Sequence, residues 1–548
     1  MSGSSYRGKN WITDKLKKIK TLFEVNEILD IATGAGTYSD RYRSLFQNSK
    51  WTGIEVWEEF VEKYNLKSKY DELIVHDART LDYTILSKID IAFAGDVLEH
   101  MTKEEAVALV DSVLKNSRCL IVSLPVVYWP QDEIEDNPYE VHVKPDWSDK
   151  EFLETFGDLV IAAHVDVNIG VYILSTDKDF IDTFTKLRVA VYAISLNEVK
   201  HVDRFMDSCQ DADIVVVSDT GSTDGTVERL KERGAVTYSI SQKPWRFDIA
   251  RNTSLNVVPE NIDLCICLDL DEIMTPGWRN LLEKAWKDSK GTITRVRYDF
   301  VWNWKEDGTP DVKFYSNKIH TRNNYIWKHP CHEAMYWFGD GEEKSVIIPE
   351  LQIQHHPDNT KSRGQYLHLL ELAVKEAPEN DRMRYYYARE LMYYNRYQDC
   401  IRESLHHLSM PSALWNEERA ASYRNMSQCY RYLGKMKESQ DMALKGVLEC
   451  STSREPWLQL ALISQLNKDW KTSYWAATKC LEITTRTMSY VGRSSSWGSD
   501  PYDNAALAAY YLGKYQEALE YGIKALELNP TDERLKNNLE FYQEKLKV

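Results

Sequence analysis

The 548-residue chain has no run of about 18 consecutive apolar residues, so it offers no stretch able to cross a membrane as a helix. Its opening, MSGSSYRGKNWITDKLKKIK, is basic but lacks the apolar core of a signal peptide. The nine cysteines are scattered without a CxxC pair, which argues against a disulfide framework or a cysteine zinc site and for a reducing compartment. A cytoplasmic protein is expected. Positive charge is also short: 68 Lys and Arg stand against 84 Asp and Glu, a formal net charge of −16. That balance disfavours a broad track along nucleic-acid phosphates or an anionic membrane, while leaving room for a local basic groove. What is present, 43% hydrophobic and 28% charged residues, describes ordinary globular protein of three or four domains.

The stretch with the most chemistry is CICLDLDEI (265–273), an apolar run ending on Asp269 and Asp271. Two carboxylates at a strand tip suit Mg²⁺ or Mn²⁺ shared with substrate phosphates, because these ions need only one or two protein carboxylates. Alone, DxD is as well explained by a solvated turn. Upstream, VAVYAISLNE (189–198) and ADIVVVSDTGSTDGTVERLKERG (212–234) read as strand, helix, strand, helix, and hence as a parallel sheet. Ligands sit at the carboxyl ends of such strands, so Asp219, Asp224, Asp269 and Asp271 are expected on one rim, with Ser222, Thr223 and Gly225 allowing a sharp turn there.

LNE, VVVSDTGSTDGT, WRFDIARN and CLDLDE, in this order and spacing, resemble the GT-A catalytic domain of family 2 glycosyltransferases over about residues 186–375. The resemblance implies a nucleotide-sugar donor, by default a uridine diphosphate sugar, held with Asn197, Glu198, Ser222 and Asp224. Asp219 would read the nucleobase and ribose, Asp248 and Arg251 would lie beside the base and phosphates, Asp269 near the ribose, and Asp271 on the metal. WKHPCHEAM and LQIQHHPDN look most like family members with C-terminal helical repeats. Their pattern puts His332 and Glu333 on the acceptor side, as candidates for the catalytic base, and His355 on the metal. His356 is read as structural.

Near the start, EILDIATGAGTYSDRY reads as a strand, a small-residue loop with Gly34 and Gly36, and a helix. WTGIEV ends on Glu55, at the spacing that suits ribose hydroxyls. With LIVHDART, IDIAFAGDVLEHM and CLIVSLPV, these features resemble a class I S-adenosylmethionine-dependent methyltransferase over about residues 20–175. Asp30, Gly34 and Gly36 would then hold the methionine part, Glu55 the ribose and Asp77 the adenine surroundings, with Asp96 also in the site. Ala32 stands where the family loop often has Gly. His100, Glu140 and His142 would border a methyl acceptor.

FIDTFTKLR (180–188) is expected to link two packed domains. After PDNTKSRGQ (357–365), which introduces a helix, the chain turns helical and aromatic. AALAAYYLGKYQEALEYGIKALELNP matches tetratricopeptide spacing at Gly513, Tyr515, Ala518, Ala525 and Pro530. Degenerate copies surround Asn395, Gly434 and Lys468, and RTMSYVGRSSSWGSDPYD is expected as a loop over the concave face or the repeat edge. Tyr385, Tyr386, Tyr387 and Trp475 are assigned to core packing.

The fold class is therefore multidomain: a Rossmann-like methyltransferase domain (1–183), a GT-A nucleotide-sugar-binding domain (184–375) and an all-α repeat solenoid (376–548). The expected function is inverting, metal-dependent glycosyl transfer to a glycan, peptide or nucleic-acid acceptor presented partly by the solenoid, which could also form a homodimer. Three alternatives stand beside it: a methyltransferase whose sugar site only binds, a viral DNA-base glycosyltransferase, and an inactive scaffold.

Overall fold

The computed structural model describes residues 5–134, 136–305, 308–339, 341–358, 364 and 366–547. The first sheet contains β1 (Glu27–Ile31), β2 (Lys50–Glu55), β3 (Glu72–Val75), β4 (Ile89–Gly95), β5 (Ser117–Pro125), β6 (Val160–Asp166) and β7 (Ile169–Leu174), in the order β3-β2-β1-β4-β5-β7-β6. β1 to β5 pair in parallel, and β7 runs antiparallel to both its neighbours. Near-continuous apolar runs such as IDIAFAG suit strands covered on both faces. Strand order reverses between β1 and β4, which opens a crevice at their carboxyl ends.

The helix Lys9–Leu22 covers one face by packing Ile12, Leu16 and Ile19 with Phe180 and Phe184. These phenylalanines belong to the helix Lys178–Thr185, so most of the segment expected as a linker is core of the first domain. The connection narrows to residues 186–188.

The central sheet comprises β8 (Val189–Ser195), β9 (Ile214–Asp219), β10 (Val236–Ser239), β11 (Leu264–Cys267), β12 (Glu272–Met274), β13 (Arg295–Trp304), β14 (Pro310–Thr321) and β17 (Ser345–His355). A separate ribbon pairs β15 (Tyr325–Lys328) with β16 (Ala334–Trp337). The sheet order is β10-β9-β8-β11-β14-β13-β17-β12. The parallel sheet expected comprises β10, β9, β8 and β11; β14 is antiparallel to β11 and to β13, whereas β17 is parallel to β13 and antiparallel to β12. The reason is local: the connection 305–309 between β13 and β14 is too short for a parallel crossover.

A buried ion pair fastens the first two domains. Lys18 Nζ lies 2.6 Å from Asp263 Oδ1, with side chains only 6% and 3% exposed. The other Asp263 oxygen accepts the Arg188 backbone N–H at 2.9 Å.

The C-terminal region stacks a lead helix, Tyr366–Glu376, on four helix pairs: Asp381–Tyr393 with Tyr397–Ser409, Asn416–Tyr432 with Met436–Glu449, Arg454–Leu466 with Trp470–Glu482, and Asp500–Tyr511 with Tyr515–Leu528. Glu533–Lys547 closes the stack. Residues 359–363 and 365 of the stretch expected to introduce the lead helix lie outside the described residues. The four repeat landmarks, Asn395, Gly434, Lys468 and Gly513, all adopt left-handed backbone, with φ of 59°, 74°, 59° and 77°. Each ends the first helix of a pair, a position that favours glycine and tolerates asparagine. Fully buried alanines such as Ala421, Ala461, Ala477 and Ala505 let the helices approach.

Tyr385, Tyr386 and Tyr387 are buried as expected, but Trp475 is 44% exposed and meets Trp457 edge-on. The insertion between the last two pairs folds back onto the repeats. Arg424 Nη2 donates to the Val491 carbonyl at 3.0 Å, and the Arg493 N–H donates to Glu455 Oε1 at 3.2 Å.

Candidate active site

The central and repeat domains enclose a cavity of about 1480 Å³ beyond the carboxyl ends of β8 and β11. Its floor is an ion network. Arg251, on the helix Phe247–Asn256, donates from Nη1 and Nη2 to the two Asp269 oxygens at 2.8 and 3.1 Å, and from Nε to Glu333 Oε1 at 2.5 Å. Lys318 of β14 donates to Asp269 at 3.1 Å and to Glu272 at 2.8 Å. Burial would raise the Asp269 carboxyl, but Arg251 and Lys318 outweigh it and hold it well below the usual carboxylate range. Burial likewise opposes the charge of Lys318, while Asp269 and Glu272 keep its ammonium well above its ordinary value. Glu272 moves the other way: burial pushes its carboxyl up.

Asp271 does not join this network. Its Oδ2 lies 3.4 Å from His355 Nε2, and its carbonyl accepts the His356 N–H at 2.8 Å. The Nδ1 of His355 meets the Trp302 carbonyl at 2.8 Å, and its ring stacks on the Trp302 indole at 4.6 Å between centroids. A carbonyl only accepts, so the neutral ring carries its proton on Nδ1 and turns the basic Nε2 toward Asp271. Burial alone would lower His355, but the hydrogen bond and charge of Asp271 raise it. A carboxylate oxygen and an imidazole nitrogen at this spacing, with a backbone carbonyl orienting the imidazole, fit adjacent ligand positions on one divalent ion. Asp271 and His355 both line the cavity.

The residues expected at the donor largely hold one another. Asp219 accepts from Ser195 Oγ, Ser222 Oγ and the N–H groups of Gly221 and Ser222 at 2.5–2.9 Å. Burial pushes its carboxyl up, and these bonds more than offset that. Asn197, left-handed at φ 55°, donates its N–H to Ser222 Oγ and accepts the Thr223 N–H. Asp224 accepts from Thr226 and from the Val199 N–H, while the Glu198 N–H donates to Thr226 Oγ1. The two loops are thus braced as a unit, and Ser195, Asn197, Glu198 and Thr220 present it to the cavity. Asp248 is placed differently: it forms a paired contact with Arg246 at 3.0 and 2.8 Å, and Arg246 reaches Glu376 of the repeats.

The far wall comes from the solenoid. Tyr386 stacks on the His332 ring at 3.9 Å between centroids, and Arg382 donates to the His332 carbonyl at 3.2 Å. Arg389, Tyr393 and Tyr490 line the same cavity, and a smaller chamber of about 330 Å³ continues between the domains past Arg424 and Arg493. Sequence reading expected the solenoid to present the acceptor but missed Lys318, Trp302 and the wall residues Arg382, Arg389 and Tyr490, and it assigned Tyr386 to core packing. Only the lysine within the otherwise strand-like FYSNKIHT offered a signal.

In the first domain, Asp30, Glu55 and the Gly34–Gly36 loop converge at the crevice. Glu55 Oε2 accepts the Gly34 N–H at 2.9 Å and Thr33 Oγ1–H at 3.2 Å, and Tyr70 donates to Asp30 at 2.5 Å. Burial raises both acids, Asp30 to about 7. Gly34 and Gly36 are left-handed at φ 48° and 76°, and so is Ala32 at 54°, so the turn forms with alanine at that position. Asp96, also left-handed, follows β4 directly. Asp77 turns back onto Arg79, which donates to both its oxygens.

Residues 191–339 match the family described as Glycosyl transferase family 2, so the central region carries such a domain. No curated protein matches the chain. Similar solved structures are helical-repeat proteins. YrrB, "a TPR protein with an unusual peptide-binding site", is 15% identical with a TM-score of 0.27, over 32% of this chain and 84% of that one. MamA is 15% identical with a TM-score of 0.24, over 30% and 81%. The first TPR domain of human RPAP3 is 18% identical with a TM-score of 0.21, over 24% and 94%.

Proposed function

We propose that the central domain transfers a glycosyl group, with inversion, from a nucleoside diphosphate sugar to an acceptor held between it and the repeats. One observation carries this reading: Asp271 and His355 face the same cavity as the Arg251–Glu333 pair, an arrangement that would suit a diphosphate at one end and an acceptor at the other. Asp271 and His355 would hold a divalent ion, Mn²⁺ before Mg²⁺ because one donor is an imidazole. When bound, that ion neutralises charge on the diphosphate. Arg251 and Lys318 add fixed positive charge that needs no reorganisation during the reaction. The braced loops of Asn197, Glu198, Asp219, Ser222 and Asp224 shape the nucleoside pocket.

In the transfer, the acceptor oxygen bonds to the anomeric carbon from the face opposite the diphosphate. The carbon–oxygen bond to the diphosphate breaks with its electron pair leaving on that oxygen. The acceptor proton passes to Glu333, which Arg251 orients. His332, stacked on Tyr386, positions the acceptor. Arg389, Arg424 and Arg493 beside Tyr386 and Tyr490 suit an acceptor that presents sugar or aromatic faces together with negative charge.

A thermal-shift panel of nucleotide sugars with and without Mn²⁺ tests the reading. Stabilisation by one donor that needs Mn²⁺ and disappears in Asp271→Ala supports it. Turnover retained in Asp271→Ala sinks it.

We infer a second activity from the crevice of the first domain, where the strand-order reversal and the Glu55–Gly34 contact favour a nucleoside-containing ligand. S-adenosylmethionine is the proposed ligand, and methylation of the glycosylated product the proposed coupling. Calorimetric titration with S-adenosylmethionine on wild type and Glu55→Ala tests it; equal binding by both chains removes Glu55 from the site.

A further inference from the structure

We propose that the first domain holds a divalent transition-metal ion on Glu99, His100 and His142, beyond the carboxyl end of β4. One donor atom from each of the three lies within 4.8 Å of the other two. Glu99 and His100 belong to the short turn Leu98–His100 after β4, whereas His142 arrives on the loop that follows β5. That loop is held by its own backbone. The Trp129 N–H donates to Pro145 O, the His142 N–H to Gln131 O, and the Lys144 N–H to the Glu99 carbonyl, at 2.8–3.0 Å. Tyr139 of the same loop lies against Trp57 after β2, so the loop spans the crevice mouth. Ordinary folding forces therefore bring together three side chains that are distant in sequence.

Their chemistry calls for a cation. Glu99 is 2% exposed, and neither of its carboxyl oxygens has a hydrogen-bond partner among the described residues. A buried acid left unmatched is costly and uncommon, and it is explained when its partner is a ligand that binds later. The buried Lys9 ammonium attracts Glu99 electrostatically but gives it no hydrogen bond, donating instead to Tyr38 Oη and Ser123 Oγ. Both imidazoles are oriented as metal-bound histidines are. Nδ1 of His100 meets the Val141 carbonyl at 3.2 Å, and Nδ1 of His142 the Trp129 carbonyl at 2.5 Å. Each neutral ring then carries its proton on Nδ1 and offers Nε2.

A second cluster shows the same spacing with its hydrogen bonds satisfied. Asp381, His407 and Glu418 are equally close, but His407 bonds Glu418 through Nε2 at 3.3 Å and Ser422 through Nδ1 at 3.0 Å, and Tyr490 donates to Glu418. That network is complete within the protein. At Glu99 it is not. Two imidazoles with one carboxylate suit Zn²⁺, Fe²⁺ or Mn²⁺ and leave positions for water or a substrate oxygen, in a crevice where no general base is evident.

The test uses the full chain carrying Asp271→Ala, metal-stripped, so that the central pair does not compete. Zn²⁺ and Mn²⁺ are titrated calorimetrically, and Co²⁺ is followed by its visible absorption. We expect one ion per chain and a Co²⁺ absorption band. Adding His142→Ala or Glu99→Gln should weaken binding about 100-fold or more and abolish the band, while the metal-free melting temperature shows that each variant is folded. No ion bound by the Asp271→Ala chain, or binding unchanged by both further substitutions, overturns the proposal. An extra ion on wild type reports on the central pair alone, so the two sites stand or fall separately.

Discussion

The two α/β domains place their crevices at the same topological position yet treat buried charge in opposite ways. On the floor of the central cavity buried charges are set against one another: Arg251 answers Asp269 and Glu333, and Lys318 answers Asp269 and Glu272. In the first domain Asp30 and Glu99 are buried acids raised by desolvation, and Glu99 has no partner among the described residues. A floor with two fixed cations held among carboxylates, beside Asp271 and His355, suits a diphosphate that arrives with a divalent ion. A crevice with an acid left without a hydrogen bond suits a cation alone. The comparison teaches that one domain balances its buried charge largely within the protein, whereas the other leaves an acid for a ligand to match.

Removing a charge should therefore have opposite effects on the two sides. The largest effect is expected for Arg251→Met, which strands Glu333 and leaves Asp269 to Lys318 alone, and should destabilise the central domain by about 3–5 kcal/mol, read as loss of its melting transition; a change below about 1 kcal/mol would break the comparison. Asp271→Ala is next. It should lower nucleoside diphosphate release about 10²–10³-fold, the loss typical of one electrostatic stabiliser, while S-adenosylmethionine binding stays unchanged.

A third prediction concerns His320, fully buried between the Tyr192 hydroxyl and the Thr321 carbonyl, and lowered by burial to about 3. The folded ring stays neutral where the unfolded ring takes up a proton. Stability is therefore full above the unfolded value near 6.5 and falls as pH drops from there toward 3. At pH 5 the loss should be about 2 kcal/mol, and His320→Asn should flatten the slope of melting temperature against pH between 7 and 5. The smallest effect, and the sharpest contrast with Arg251, is Glu99→Gln. In the metal-free chain it should raise the melting temperature slightly, because the amide stays neutral without a proton where burial disfavours the ionised acid.

Much of this was legible in the sequence where information is local. The loops of SDTGSTDGT and ATGAGT, and the strand tip DLDE, advertise themselves because turn chemistry and strand ends are set by adjacent residues. The left-handed Asn395, Gly434, Lys468 and Gly513 mark the repeats for the same reason. What could not be read was long-range. Lys318 reaches Asp269 only because β14 inserts antiparallel beside β11, and Tyr386 reaches His332 only because the repeats dock on the central sheet. Asp248 and Asp77 carry the expected residue type at the expected spacing, yet each turns to a nearby arginine, Arg246 or Arg79. Spacing cannot register that competition.

The buried Lys18–Asp263 bond has a consequence for traffic between the two crevices. A join with both charges out of water does not hinge freely, since parting them exposes each to the cost the other offsets. The two workshops are bolted to one bench. A molecule processed at both must let go of the first and be recaptured at the second, or be long enough to reach from one to the other while still held.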